Sequence, residues 1–177
     1  MKTFCILILF SFLISACHKK EINDCDSLKS YIYSNASETR VYASKLTCGD
    51  TVFLTEYYPA EKSFFALNEQ KQKLKIDSLI NQVDFTKLKK GYIEESLQDG
   101  EAFKIVIQNQ NRIDSISVYG RTAPKNIYQI SNEFEKMIKL LKFVPYTKEI
   151  DYGKHQIKLL PPPPPPKNIH TVIFKKS

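Results

Sequence analysis

The sequence predicts an α+β domain, an antiparallel sheet packed on one face by two amphipathic helices. Three observations carry that reading. Aliphatic residues recur at helical spacing in two segments, β-branched and aromatic residues dominate or alternate in several others, and Gly-, Asn- and Ser-containing breaks separate them. At 177 residues the chain has length for one domain and its appendages, and Phe 11 with Tyr 10 supplies enough apolar surface to exclude full disorder. Gly 5 and Cys 4 exclude collagen-like and disulfide-scaffold classes.

The domain is expected over residues 28–150. Leu28 to Tyr33, Thr39 to Lys45 and Thr51 to Tyr58 read as strands of a meander, broken by Ser34-Asn35-Ala36-Ser37 and Cys48-Gly49-Asp50. Asn68 then offers an N-cap to a helix of about 68–83, where Ile76, Leu79, Ile80 and Val83 form one apolar stripe and Gln70, Lys71, Lys73 and Asp77 the opposite face. A polar stretch with Gly91 and Gly100 follows. Phe103, Ile105 and Ile107 alternate, Asn109-Gln110-Asn111 turns the chain, and Ile116 and Val118 alternate with Ser115, Ser117 and Tyr119, which predicts a hairpin in a sheet wetted on one face. Pro124 suits a first helical turn, and Ile127, Ile130, Phe134, Met137, Ile138 and Leu141 mark a helix of about 125–142. Two amphipathic helices need a common apolar surface, and the dry face of the sheet provides it.

The N-terminus reads as an address. Lys2 precedes an apolar run from Phe4 to Ile14, too short to span a bilayer but suited to the core of a signal peptide over 1–16. Ile14-Ser15-Ala16-Cys17 resembles the bacterial lipobox, in which small residues admit the peptidase and the Cys thiol accepts a diacylglyceryl group. The resemblance implies lipidation of Cys17, with palmitate-type chains whose burial at about 0.8 kcal/mol per CH₂ anchors the protein to a membrane. In such lipoproteins an Asp after the lipidated Cys retains the protein in the inner membrane. His18 stands there, which implies outer-membrane delivery facing periplasm or cell surface. Residues 17–27 are then a tether. Cys25 and Cys48 remain as an even pair in an oxidising compartment, and a disulfide between them would close about 23 residues for roughly 3 kcal/mol, the other reading being two separate thiols.

Asn68-Glu69 opening a helix, Leu79-Ile80 before Val83-Asp84-Phe85, and a hairpin ending Val118-Tyr119-Gly120-Arg121-Thr122-Ala123-Pro124 before a closing helix together resemble small lipoproteins of Bacteroidota that carry a domain of unknown function. The resemblance covers roughly residues 28–142 and implies no catalytic residue to carry over.

No catalytic constellation stands out. His18, His155 and His170 lie in the tether or flank a proline run, at no metal-ligand spacing, and no Ser sits in a nucleophile elbow. Few glycines leave no phosphate-cradling loop, and Glu94-Glu95 reads as a solvated acidic loop. The expectation is a non-enzymatic protein without metal, cofactor or nucleic-acid partner. Asp26-Ser27-Leu28, Asp50-Thr51-Val52, Asp77-Ser78-Leu79 and Asp114-Ser115-Ile116 repeat a pattern similar to the O-glycosylation acceptor of Bacteroidota, making Ser27, Thr51, Ser78 and Ser115 candidate sites. The competing reading is local, since Asp followed by Ser or Thr bonds nearby backbone where elements begin.

Residues 151–177 form a basic, proline-rich extension. Pro161 to Pro166 would span about 19 Å as polyproline II, and Lys154, Lys158, Lys167, Lys175 and Lys176 carry most of the formal net charge of +7, leaving the domain nearly neutral. The arm over 161–177 suits an envelope protein or an anionic surface, or it returns to the protein's own sheet. The chain therefore reads as a lipid-anchored binding or scaffolding module of the cell envelope, with an anchored immunity or inhibitor protein against an envelope enzyme as the alternative.

Overall fold

The computed structural model describes residues 29–97, 100–109 and 112–153. Among these residues it is an α+β fold with one mostly antiparallel eight-stranded sheet and two α-helices. In chain order the elements are β1 (Lys29–Ala36), β2 (Val41–Leu46), β3 (Thr51–Glu56), β4 (Lys62–Leu67), α1 (Gln70–Asn81), β5 (Gly91–Ile93), β6 (Ala102–Asn109), β7 (Arg112–Tyr119), α2 (Lys125–Leu140) and β8 (Val144–Pro145). The sheet order is β5-β7-β6-β1-β2-β3-β4-β8, and β5 alone pairs in parallel, with β7.

The expected meander is present as β1 to β3, and the expected hairpin as β6 and β7, where Asn109 faces Arg112 across the turn. Three strands had no sequence expectation. β4 follows a cis Tyr58–Pro59 bond and reads Lys-Ser-Phe-Phe-Ala-Leu, whose adjacent phenylalanines hide any alternation. β5 and β8 are too short to show a period and are set by the strands they pair with, β7 and β4.

Helix α1 starts later than expected. Asn68 donates its backbone N–H to Asp50 O at 2.8 Å, prolonging the β3–β4 ladder, so the chain stays extended and Glu69 becomes the N-cap, without a side-chain cap bond. Both polar atoms of the buried Asn68 side chain lack partners. At its other end α2 stops at Leu140 because Leu141 turns extended toward β8.

β1 is central and buried along its length, and its alternation splits the core in two. Tyr31 and Tyr33 belong to the larger cluster, together with Ile76 and Ile80 of α1 and Ile127, Ile130, Phe134 and Met137 of α2. The Tyr33 and Phe134 rings stack at 5.2 Å between centroids, an offset aromatic contact within that cluster. Ile32 points the other way, into a smaller cluster with Ala43, Val106, Ile150 and Tyr152. The second face, expected to be wet, is thus partly covered by the segment after β8. Tyr152 lies past the boundary expected at 150, yet it is 2% exposed and its hydroxyl bonds Ala43 O and Thr55 Oγ1 at 3.1 and 3.0 Å. Lys45 Nζ holds the same segment through Asp151 O at 2.9 Å.

Candidate functional site

Helix α2 carries two stripes. Beside the apolar one, Tyr128, Ser131, Asn132, Glu135, Lys136 and Lys139 recur at i, i+3, i+4, i+7, i+8 and i+11, which places them on one adjoining face. This polar stripe forms one wall of a cleft of about 980 Å³. The opposite side comes from the loop after β5 (Glu94, Leu97), the start of β6 (Glu101, Phe103) and the exit of β7 (Gly120, Arg121). Phe103 and Tyr128 meet edge to face at 5.8 Å and give it an aromatic base.

Below the wall lies a network of donors aimed at Glu135. Its Oε1 accepts from Tyr33 Oη at 2.9 Å, from Asn35 Nδ2 at 3.2 Å and from Tyr42 Oη. The same Asn35 amide donates to Glu101 Oε1, so one buried side chain joins two carboxylates. Tyr33 Oη also meets Ser131 Oγ at 2.9 Å. The order of β1 explains the convergence: Tyr33 and Asn35 share a face two residues apart, and Tyr42 is brought alongside because β2 pairs Tyr42 with Asn35.

Burial, and then the charge of Glu135, hold the Tyr33 phenol well above its usual value near 10. Tyr42 is raised by burial first, then by Tyr33 and Glu135. Both phenols are therefore fixed donors at any physiological pH. All bonds to Glu135 fall on Oε1, and Glu101 is likewise engaged through Oε1. Among the described residues the Oε2 atoms of both carboxylates carry no hydrogen bond, and Arg121, Lys136 and Lys139 are exposed cations along the cleft. Chemically this is a pre-set pair of acceptors with cations at their margin.

The mouth of the cleft is braced by the segment Tyr119-Gly120-Arg121 at the exit of β7. Gly120 adopts φ 86°, and a Cβ there would lie 2.6 Å from the Cβ and Oε2 of Glu94. Glu94 Oε2 accepts the Arg121 N–H at 2.8 Å, and Tyr128 Oη donates to Gly120 O while accepting from Ala123 N, both at 3.1 Å. Glu94, in the loop expected to be solvated, is half-buried and also holds the β7–α2 connection.

The residues singled out from sequence are dispersed. Cys17, Cys25, Ser27, His18, His155, His170 and the arm over 161–177 lie outside the described residues. Cys48 is disulfide-bonded and sits in the β2–β3 turn, where Lys73 Nζ donates to its carbonyl. Thr51 opens β3, Ser78 is exposed on α1 with its hydroxyl accepting from Gln82 Nε2 at 3.3 Å, and Ser115 is inside β7. The aspartates before them are occupied: Asp50 pairs with Lys73 at 3.4 Å, Asp77 accepts from Tyr31 Oη, and Asp114 pairs with Arg112 at 2.9 Å. Among the described residues no His, Cys, Asp and Glu side chains group to hold a metal, and no helix is long and apolar enough to cross a membrane. The cleft itself was missed from sequence, although the second stripe of α2 signalled it. Compared with known families, the chain matches no family model, and no curated protein matches it.

Proposed function

We propose that this chain is a lipoprotein of the cell envelope, anchored in the outer membrane through acylated Cys17, and that its domain acts by binding rather than catalysis. The binding site is the cleft beside α2, and the ligand group it accepts is a small cation such as an ammonium. The observation that carries the reading is the pair of carboxylates, Glu101 and Glu135, joined through the buried Asn35 amide. Tyr33 and Tyr42 cannot leave Glu135 without losing a buried bond, so the acceptors are ordered before a ligand arrives, which lowers the entropic cost of binding. The exposed Arg121, Lys136 and Lys139 suit an anionic group on the same ligand. The packing supports a two-layer reading in which both helices lie on one face of the sheet, since their buried residues share a cluster with Tyr31 and Tyr33. The resemblance to Bacteroidota lipoproteins, the Cys25–Cys48 pairing, the O-glycan acceptors and the cationic arm over 161–177 as a contact to an envelope protein or anionic surface belong to the same proposal.

Two measurements test it. Labelled palmitate is incorporated into the wild type and lost in Cys17→Ala; continued labelling of that variant removes the anchor. Amide NMR titration of the mature chain with ammonium, guanidinium and purely anionic compounds moves the signals of Ser131, Asn132 and Lys136 with the cations, and Glu101→Gln suppresses the response. Silence along α2 for every compound, or tight capture of an envelope enzyme through another surface, turns the reading to the inhibitor alternative.

A further inference from the structure

Leu67, Leu140 and Val144 are 73%, 60% and 47% exposed, and they line one groove of about 720 Å³ with Phe65, Ala66 and Leu141. Leu67 ends β4, Leu140 ends α2 and Val144 begins β8, so three element ends bring apolar side chains into one patch. Apolar side chains gathered in this way on a small domain form a candidate interaction surface.

What covers it is constrained by its edges and by the way the chain is tied. A second copy pairing along the sheet edge is disfavoured: β8 has two residues, and Pro145 has no N–H to offer an incoming strand. The charged residues in the lining are Glu69 and Lys142, with Lys139 adjoining Leu140. Lys142 in the lining and Lys139 next to Leu140, on the rim shared with the cleft, outnumber the one acid, Glu69, and suit an anionic lipid interface, where the stem lies along the apolar region and the ammonium reaches the headgroups. The tie to the anchor points the same way. The disulfide-bonded Cys48 lies in the turn that delivers Thr51 into register with Leu67, and Lys73 of α1 closes that turn. With the proposed Cys25–Cys48 pairing, the eight residues from Cys17 reach at most about 28 Å, which holds the end of the sheet bearing Leu67 near the bilayer.

We infer that the groove between β4, α2 and β8 is a membrane-facing surface, in which Leu67, Leu140 and Val144 enter the interface of an anionic phospholipid layer and Lys139 and Lys142 meet its headgroups. The inference rests on the anchored reading for its geometry but makes its own contacts with lipid. Leu140 also lines the cleft of the candidate site, so docking sets the cleft beside the lipid surface.

The test uses the chain from residue 17 onward carrying Cys17→Ala, with its disulfide oxidised, so that no acyl chain contributes. It is sedimented with vesicles of phosphatidylethanolamine containing phosphatidylglycerol, and with vesicles of phosphatidylcholine alone. The chain binds the anionic vesicles, Leu67→Glu and Leu140→Glu each lower the partition about tenfold, and Lys139→Gln with Lys142→Gln weakens binding and its salt dependence. Both leucines are exposed, so neither change disturbs the fold. Ile113→Glu, equally polar and on β7 at the other side of the sheet, leaves binding unchanged. Equal binding of all variants, or an equal loss with Ile113→Glu, overturns the inference. So does a concentration-dependent dimer that Leu67→Glu abolishes. Loss of palmitate labelling dependence on Cys17 with vesicle binding intact removes the anchor and spares the surface.

Discussion

Replacing Glu135 by Ala removes an acceptor from three donors at once, and the three respond differently. Tyr33 Oη can turn to Ser131 Oγ, already 2.9 Å away, and Asn35 keeps Glu101. Tyr42 has no such second acceptor, and its residue is 2% exposed. Stranding one buried hydroxyl costs about 1–3 kcal/mol, and losing the charge-assisted bond of Tyr33 adds about 1 kcal/mol more, so Glu135→Ala is expected to cost about 3 kcal/mol. Tyr42→Phe alone removes a donor and leaves Glu135 with two others, at about 1 kcal/mol. In the double variant no donor is stranded at position 42, and the total falls to about 2 kcal/mol, less than for Glu135→Ala by itself. Urea unfolding with the disulfide intact measures all four corners of the cycle, provided the slope with denaturant is unchanged. Additive losses, with no rescue of Glu135→Ala by Tyr42→Phe, refute the argument that the phenol is pinned by this carboxylate.

Alkaline pH gives a second test. The native-state values of Tyr31, Tyr33, Tyr42 and Tyr152 are all raised, chiefly by burial. The folded form keeps protons that the unfolded form releases, so this stability is complete below pH 10 or so and is lost as pH rises above it. Urea midpoints should fall steeply beyond pH 10, and phenolate absorbance from these four should appear only with unfolding. Tyr152→Ala should cost about 3–5 kcal/mol by emptying the smaller cluster, read by thermal or urea denaturation. Gly120→Ala should cost about 2 kcal/mol, since a positive φ and the Glu94 side chain both oppose a Cβ, and the Arg121 amide should lose protection from hydrogen exchange.

Periodicity made the long elements legible. Ile127, Ile130, Phe134 and Met137 have only one surface to meet, and alternation over Phe103 to Tyr119 gives a hairpin with little competition from other readings. β4 was illegible because a strand bearing Phe64 and Phe65 side by side has no period, and its pairing with β3 is a tertiary fact. Asn68 looked like a cap by residue type, but the backbone bond to Asp50 took the position first. The cleft was half legible. The polar stripe from Tyr128 to Lys139 is written in α2, whereas its meeting with Asn35 and Glu101 depends on β1 lying beside β6, some 70 residues later in the chain.

That central place of β1 has a consequence for how the chain acquires its shape. The first strand has neighbours from both halves of the sequence: β2 follows it at once, and β6 reaches it only after residues 102–109 exist to pair. Until β6 joins it, β1 can form only one edge of a four-stranded ribbon, β1 to β4, with its other flank bare. The tyrosines that later fix Glu135 are exposed during that interval. Pairings so distant in sequence are slow to form, so closure of the second hairpin and α2 onto β1 is expected to be the slow step of folding.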